Sequence, residues 1–165
     1  MIRMMKKMLD FHVKGLAFDE HSDMPVVILQ NEEQKKVLVL AIGPFEASSI
    51  IVELEGVHLP RPLTHDLFSE LFQRHRFQLV AVEIYDRHDD DYFARMRYRT
   101  TTAMHTMEIR PSDGIALALR LHAPILVAQS IVDARATRAG LTEDRDAEYR
   151  DVLYLESQKP QIQLM

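Results

Sequence analysis

Short apolar runs separated by polar turns divide the beginning of the chain into three predicted β-strands. The runs are "LDFHVKGLAFD", "VVILQ" and "VLVLAI", and the turns "EHSDMP" and "NEEQKK" between them suit an antiparallel meander. The second and third runs do not alternate between apolar and polar residues. They therefore predict strands that are covered on both faces.

Two helices are predicted after this meander. The first, "PFEASSIIVELEG", has Pro44 at its first helical position and Gly56 just past its end. The second, "LTHDLFSELFQRH", has Thr64 as its predicted N-cap, with Leu63 and Phe68 as a hydrophobic staple. Four residues at helical spacing form an apolar stripe on this second helix: Leu67, Phe68, Leu71 and Phe72.

A second trio of strands follows, and the first strand-to-helix corner then recurs. The strands are "FQLVAVEIYD", "YFARMRYRT" and "AMHTMEI", followed by the helix "RPSDGIALALRLH" and a strand "PILVA". The pattern Ile-x-Pro-x-acid begins at Ile42 and again at Ile109, which is 109 − 42 = 67 residues later. We therefore predict an α+β fold, with a mixed or antiparallel sheet built from two three-strand meanders, packed helices and pseudo-repeated corners.

Composition sets the broad class. A length of 165 residues with 47% hydrophobic residues predicts one domain, which we place at residues 1–133. Residues 134–165 form a charged tail, predicted to be a peripheral helix or disordered, although "SIVDARATRAG" favours a helix ending at Gly140. The chain has no Cys and no apolar run long enough to cross a membrane, so we expect a cytoplasmic protein without a membrane partner.

The two corners carry the first candidate chemistry. Glu46 and Asp113 each fall at the third helical position, where a carboxylate complements the positive end of the helix. This stabilisation of the helix start is enough to explain why an acid stands at either position. A metal ion, or Arg110 beside Asp113, would be needed before such a corner could accept a phosphate, because a carboxylate repels anions.

The segment "RPLTHDL" contains the parts of a hydrolytic site. His65 can move protons near neutral pH, Asp66 can hold a hard cation, and Arg61 can pair with a phosphate oxygen. The alternative is structural: Asp66 stabilises the start of its helix and His65 is exposed to solvent.

Alternating arginines form the one concentrated basic feature of a chain whose net charge is −5. Arg95, Arg97 and Arg99 fall on one face of a predicted strand and span roughly 13 Å, a distance that reaches adjacent phosphates. In the alternative interpretation this is a solvated sheet face, where the arginines pair with acids such as Glu83 or Glu108. The acidic balance of the whole chain argues against binding nucleic acid through a broad positive surface.

The motifs "IGPFEASSI", "EGVHLPRPLTHDL" and "RPSDGIALALRLHAPILVA", in that order, resemble the bifunctional nuclease domain family over about residues 10–133. The resemblance implies DNase and RNase activity on a fold of mixed sheet and helices that often forms oligomers. It makes residues 1–133 a bifunctional-nuclease-like domain. The polar positions that match the family motifs are Glu46, Glu55, Arg61, Thr64, His65, Asp66, Arg110, Ser112 and Asp113.

The sequence therefore favours an enzyme, a nuclease that hydrolyses phosphodiester bonds of DNA or RNA with a divalent cation, Mg²⁺ or Mn²⁺, as a homodimer or higher homo-oligomer. The catalytic candidates are His65, Asp66, Asp113 and Glu46, and the last three of these are also the metal-ligand candidates. The substrate-binding candidates are Arg61, Arg110, Ser112, Arg95, Arg97 and Arg99.

Two alternatives remain open. In one, the chain is a non-enzymatic regulatory or binding module whose motifs are structural. In the other, it is a small-molecule sensor with a pocket between the two corners. The enzyme hypothesis requires Glu46, Asp66 and Asp113 to converge in one cleft, whereas the structural hypothesis has each acid stabilising only its own helix.

Overall fold

The computed structural model describes residues 6–19 and 22–139, with side chains up to Ala134. These residues form seven strands and four helices. The strands are β1 (Met8–Asp19), β2 (Met24–Asn31), β3 (Lys36–Ala41), β4 (Gln78–His88), β5 (Asp91–Arg99), β6 (Met104–Ile109) and β7 (Ile125–Ala128). The helices are α1 (Pro44–Leu54), α2 (Thr64–Arg74), α3 (Pro111–Leu121) and α4 (Gln129–Ala139).

One mixed sheet contains all seven strands in the order β3-β2-β1-β7-β4-β5-β6. Each trio is an antiparallel meander, as predicted. The last strand in the chain, β7, lies at the centre of the sheet, where it pairs antiparallel with β1 and parallel with β4. The predicted α+β class is confirmed. Strand β7 joins the two meanders into one sheet.

Helix α3 contacts α1 and α2, and all three helices pack against the sheet. Gly114 of α3 lies so close to Val82 of β4 that a Cβ atom there would come within 2.6 Å of Val82 Cγ1. The strand β2 is buried on both faces, as its unbroken apolar run predicts. The edge strand β3 instead alternates between buried and partly exposed residues, so the prediction of two covered faces is wrong there.

The two predicted corners have nearly the same backbone. Helix α1 follows an extended N-cap residue, Gly43, with φ −72° and ψ 157°, and α3 follows Arg110 with φ −69° and ψ 143°. A proline, Pro44 or Pro111, occupies the first turn in each case. Because proline fixes φ and lacks an N–H that would remain unpaired there, both helices start where the sequence predicts.

Helix α2 differs from the prediction at its start and on its apolar stripe. It begins at Thr64, so Leu63 is the N-cap residue, and the predicted Thr64 cap is wrong. The Asp66 carboxylate accepts a hydrogen bond of 2.7 Å from the Leu63 N–H and thereby supplies the stabilisation that a capping hydroxyl would give. Of the four stripe residues only Phe72 is buried, whereas Leu67, Phe68 and Leu71 are exposed.

The predicted tail is described only in part. Residues 129–139 form α4, in agreement with the helix predicted from "SIVDARATRAG". Residues 140–165, and with them most of the predicted tail, lie outside the described residues. No helix in the described ranges is long and apolar enough to span a membrane.

Candidate functional site

The two corners meet in space through Arg110. Its Nη2 lies 2.8 Å from Glu46 Oε1, and its Nε donates to Asp113 Oδ2 over 2.8 Å. Both acids are largely shielded from solvent, with side chains that are 14% and 26% exposed, whereas the Arg110 side chain is 68% exposed. Acids that are 67 residues apart in the sequence thus share one guanidinium group (113 − 46 = 67).

Helix α2 brings His65 to the same place. His65 Nε2 lies 3.0 Å from Asp113 Oδ1, and His65 Nδ1 lies 2.8 Å from Ser49 Oγ on α1. An ionised carboxylate only accepts hydrogen bonds, so we assign the proton of the neutral ring to Nε2. Nδ1 then accepts from the Ser49 hydroxyl. We call Glu46, Ser49, His65, Arg110 and Asp113 the corner cluster; it draws on α1, α2 and the start of α3.

The electrostatics of the corner cluster keep Asp113 ionised. Burial raises the pKa of Asp113, but hydrogen bonds from Arg110 and His65 outweigh burial and hold that pKa below its usual value. The same contact with Asp113, reinforced by Glu46, raises the pKa of Arg110. With His65 neutral, two carboxylates and one guanidinium give the corner cluster a net charge of −1.

Asp66 does not join the corner cluster. Its Oδ1 accepts from Arg120 Nε over 2.6 Å, and its Oδ2 accepts from the backbone of Leu63. Burial raises the pKa of Asp66, but these two hydrogen bonds outweigh burial and leave the pKa lowered. The structure therefore brings Glu46 and Asp113 together and leaves Asp66 at the start of its own helix.

Arg120, which the sequence analysis did not select, ties the three helices together. Its side chain is 4% exposed, and it donates to the Asp66 carboxylate on α2, the Ser49 carbonyl on α1 and the Ala116 carbonyl on α3. Ser49, also missed, is 4% exposed and orients His65. One signal in the sequence could have indicated Arg120: it is a charged residue in the apolar half of a predicted helix. Nothing comparable in the sequence marked Ser49.

The described residues contain no group of three His, Asp or Glu side chains placed to hold a metal ion. Arg110 lies between the carboxylates of Glu46 and Asp113, and Arg120 is paired with Asp66. A cation bound by Glu46 and Asp113 would have to take the place of Arg110. In this arrangement the three predicted ligands do not fit a preformed cation site.

The remaining candidates lie in different settings. Arg61 is exposed on the loop between α1 and α2. Ser112, in the first turn of α3, is only 8% exposed and presents little surface to a substrate.

The arginine strip lies on the sheet and is largely paired. Arg95 Nε and Arg97 Nε lie 2.7 and 2.8 Å from the two oxygens of Glu83, a side chain that is 6% exposed. Arg99, at the end of β5, donates to Gln78. One carboxylate thus pairs with two of the three arginines and neutralises one of the three charges; this is the pairing that the solvated-face alternative describes.

Comparison with known proteins identifies the family. Residues 27–139 match the model of the bifunctional nuclease domain, and this match covers most of the chain. The chain belongs to the bifunctional nuclease domain family, and the resemblance suggested by the motifs is confirmed.

Several relatives show the extent of the likeness. An uncharacterized protein of Mycobacterium tuberculosis is 32% identical over 123 residues, which are 74% of this chain and 73% of the relative. Bifunctional nuclease 2 of Oryza sativa subsp. japonica is 26% identical over 132 residues, or 76% of this chain and 40% of the plant protein. Bifunctional nuclease 1 of Arabidopsis thaliana is 24% identical over 119 residues, covering 69% of this chain and 36% of its own length.

Proposed function

We propose that this chain is a nuclease that hydrolyses phosphodiester bonds of DNA or RNA at the corner cluster. The observation that carries the proposal is the convergence of His65, Arg110 and Asp113, which come from two helices and the strand-to-helix corner, at one partly exposed position. Membership of the bifunctional nuclease domain family and the names of the plant relatives support the same activity.

Each residue has a role that follows from its contacts. Arg110 is the exposed cation, and the N–H groups that it does not donate to the acids are available to a phosphate oxygen. His65, in its protonated form, donates the Nε2 proton, which leaves its hydrogen bond with Asp113, to the leaving oxygen as water bonds to phosphorus and the P–O bond breaks; the water proton passes to solvent. Asp113 orients the ring and stabilises its positive charge, and Ser49 holds the other nitrogen.

The divalent cation stays a prediction. The corner cluster carries a net charge of −1 when His65 is neutral, so a bound phosphodiester would be repelled unless positive charge is added. Protonation of His65 supplies one charge, and Mg²⁺ or Mn²⁺ arriving with the phosphate would supply more. Self-association and a cytoplasmic location also remain predictions, which light scattering and cell fractionation would test.

The test is cleavage of labelled single-stranded DNA and RNA by purified protein, with Mg²⁺, with Mn²⁺ and with excess chelator. We expect cleavage by the natural chain and a loss of at least about 100-fold in His65→Asn. The asparagine amide takes the place of Nδ1 beside Ser49 and leaves nothing at Nε2, so the helices should stay together.

His88→Asn is the matched control. His88 is an exposed histidine at the end of β4 that also contacts an aspartate, Asp86, at 3.5 Å. Its replacement should leave turnover unchanged. Wild-type turnover in a folded His65→Asn variant, or equal losses in both variants, would contradict the proposed role of the corner cluster. If chelator has no effect, the predicted cation is wrong and the rest of the proposal stands.

A further inference from the structure

A row of aromatic rings crosses the molecule from α2 to the edge strand β6. The ring centroids of Phe68 and Phe72 are 5.3 Å apart, and Phe72 lies 5.7 Å from Phe77 and 5.5 Å from Tyr98. Tyr98 in turn stacks on His105 of β6, with centroids 5.1 Å apart and planes inclined by 22°. The row is thus continuous from a helix to the open edge of the sheet.

Several of these rings face solvent. Phe72, in the middle of the row, is buried, but Phe68 is 36% exposed, Phe77 is 37% exposed, and His105 is exposed on β6. Exposed aromatic residues grouped around shared inner rings are unusual on a surface that binds nothing, because they leave apolar area in water.

Basic residues lie beside the exposed rings. The end of α2 and the turn after it read "RHRF", which places Arg74, His75 and Arg76 directly before Phe77. The His75 ring lies 5.7 Å from the Phe77 ring. Arg76 is exposed, and in the described part of the chain it has no ion-pair partner, whereas Arg74 is paired with Glu70. Arg99 lies at the same end of the sheet because its strand pairs it with Gln78, the residue after Phe77.

We propose that Phe68, His75, Arg76, Phe77 and His105, which we call the aromatic patch, bind a single-stranded segment of nucleic acid. The rings stack on bases, and Arg76 contacts the phosphate backbone. Aromatic faces with interleaved cations bind single strands of any sequence, because every base has a face that can stack. Duplex DNA buries those faces, so the patch prefers single strands. This assignment rests on the proposed nuclease function and places the nucleic-acid contact away from Arg95 and Arg97, which Glu83 holds.

The aromatic patch leads towards the corner cluster. Phe68 follows His65 by three residues on α2, which is about one helical turn. Phe77 lies beyond the other end of the same helix, where its N–H donates to the Phe72 carbonyl over 2.8 Å. Phe72 follows His65 by 72 − 65 = 7 residues, which is roughly 10 Å of helical rise. A strand bound along the patch would therefore have one of its phosphates near His65, while the bases on the patch would lie at a distance from the bond that is cleaved. The patch holds the substrate and takes no part in bond cleavage.

The test compares Phe77→Leu with the natural chain. Leucine keeps an apolar side chain against Phe72 but cannot stack on a base. We measure binding of a fluorescent single-stranded oligonucleotide by anisotropy in chelator. We also measure steady-state cleavage of that oligonucleotide and of bis(p-nitrophenyl) phosphate, a small diester that is too short to reach Phe77 from the corner cluster. We expect about tenfold weaker binding and a raised KM for the oligonucleotide, with unchanged turnover of the small diester.

Phe93→Leu is the matched control. Phe93 is 41% exposed and contacts a histidine, His88, at 5.2 Å, but it lies in the β4–β5 hairpin among aspartates. Its replacement should leave binding unchanged.

A second pair of variants tests the arginine of the patch. Arg76→Gln should lower both the affinity for the oligonucleotide and the dependence of that affinity on salt. Lys35→Gln should lower neither, although Lys35 is also exposed and also has a positive φ, 51° against 56° at Arg76.

The outcomes separate the patch from the nuclease function. Cleavage of oligonucleotides with unchanged affinity in Phe77→Leu would overturn the patch and leave the nuclease proposal intact. Binding that depends on Phe77 without any cleavage would support the patch and remove the nuclease proposal. A wild-type chain that does not bind oligonucleotides, and whose dimer is lost in Phe77→Leu, would show that the surface is a protein interface and overturn the patch.

Discussion

The corners at Gly43 and Arg110 share a backbone but lie in different surroundings. Helix α1 keeps Phe45 87% exposed and Ile51 45% exposed, whereas α3 buries the run from Ile115 to Ala118 beneath its neighbours. Asp113 consequently meets both His65 and Arg110, whereas Glu46 meets Arg110 and folds back over Gly43. A repeated motif fixes the path of the chain, and the elements packed around each copy decide what its carboxylate does.

The largest expected effect comes from the two arginines of α3 and its corner. Arg120→Met should cost about 3–5 kcal/mol of unfolding free energy, because it leaves Asp66 and two buried carbonyls without their donor. Arg110→Met should cost less, about 1–3 kcal/mol, because the Arg110 side chain itself is 68% exposed although the two acids that it pairs with are largely shielded. Urea unfolding of both variants measures the difference. Equal losses would mean that Arg120 does not tie the helices together.

The second effect concerns activity at the two corners. Asp113→Asn should lower kcat/KM for an oligonucleotide by about 100-fold or more, because the amide no longer stabilises the charged His65 ring. Glu46→Gln should lower it by less than about tenfold, because Glu46 reaches the reaction only through Arg110. Rates are compared per folded molecule, judged by circular dichroism. A larger loss at Glu46 than at Asp113 would reverse this assignment of roles.

The third effect concerns the glycines near the corners. In Gly114→Ala the new Cβ atom would lie 2.6 Å from Val82 Cγ1 and 2.8 Å from Ile109 Cδ1, so we expect a loss of about 1–3 kcal/mol in stability. In Gly43→Ala the atom in the way is the mobile end of Glu46, which can turn aside. That variant should change stability by less than about 1 kcal/mol. Thermal unfolding of the pair, with Arg110 contacts monitored by NMR, checks both statements.

The smallest effect is the loss of stability at acidic pH. The pKa of Asp113 is lowered in the folded chain, so its ionised form stabilises the fold above the unfolded pKa of about 3.9. This contribution is lost as the pH falls through the lower, folded pKa. The stability of the natural chain should therefore fall more steeply below about pH 4 than that of Asp113→Asn. Urea titrations at several pH values measure the free energy of unfolding of both proteins. If the two free energies vary in parallel with pH, the lowered pKa of Asp113 is contradicted.

The fold was predictable because its signals are local. Apolar runs, short polar turns and two Pro-x-acid corners place each strand and helix within a few residues of its observed bounds. The position of β7 was not predictable, because a four-residue apolar strand pairs equally well with many neighbours. A different ambiguity explains the error at Thr64. Two adjacent residues could begin the helix, and the hydrogen bond from the Leu63 N–H to the Asp66 carboxylate decided between them.

The site was predictable only in its chemistry. His65, Arg110 and Asp113 were selected by residue type, and their convergence depends on how α2 crosses α3. Asp66 matched the same criteria, yet it faces Arg120. Long-range partners of this kind leave no periodic trace in the sequence, so Ser49 could not be distinguished from Ser48 beside it.

The central position of β7 also bears on the order in which the molecule can fold. Both meanders are complete in the chain before Ile125 is reached, and until β7 inserts, β1 and β4 each keep an unpaired edge. Because α1 rests on one meander and α3 on the other, the corner cluster assembles only when that late strand joins them. A growing chain would thus pass through an aggregation-prone interval without activity, and unfolding should be a single cooperative step rather than the separate loss of two halves.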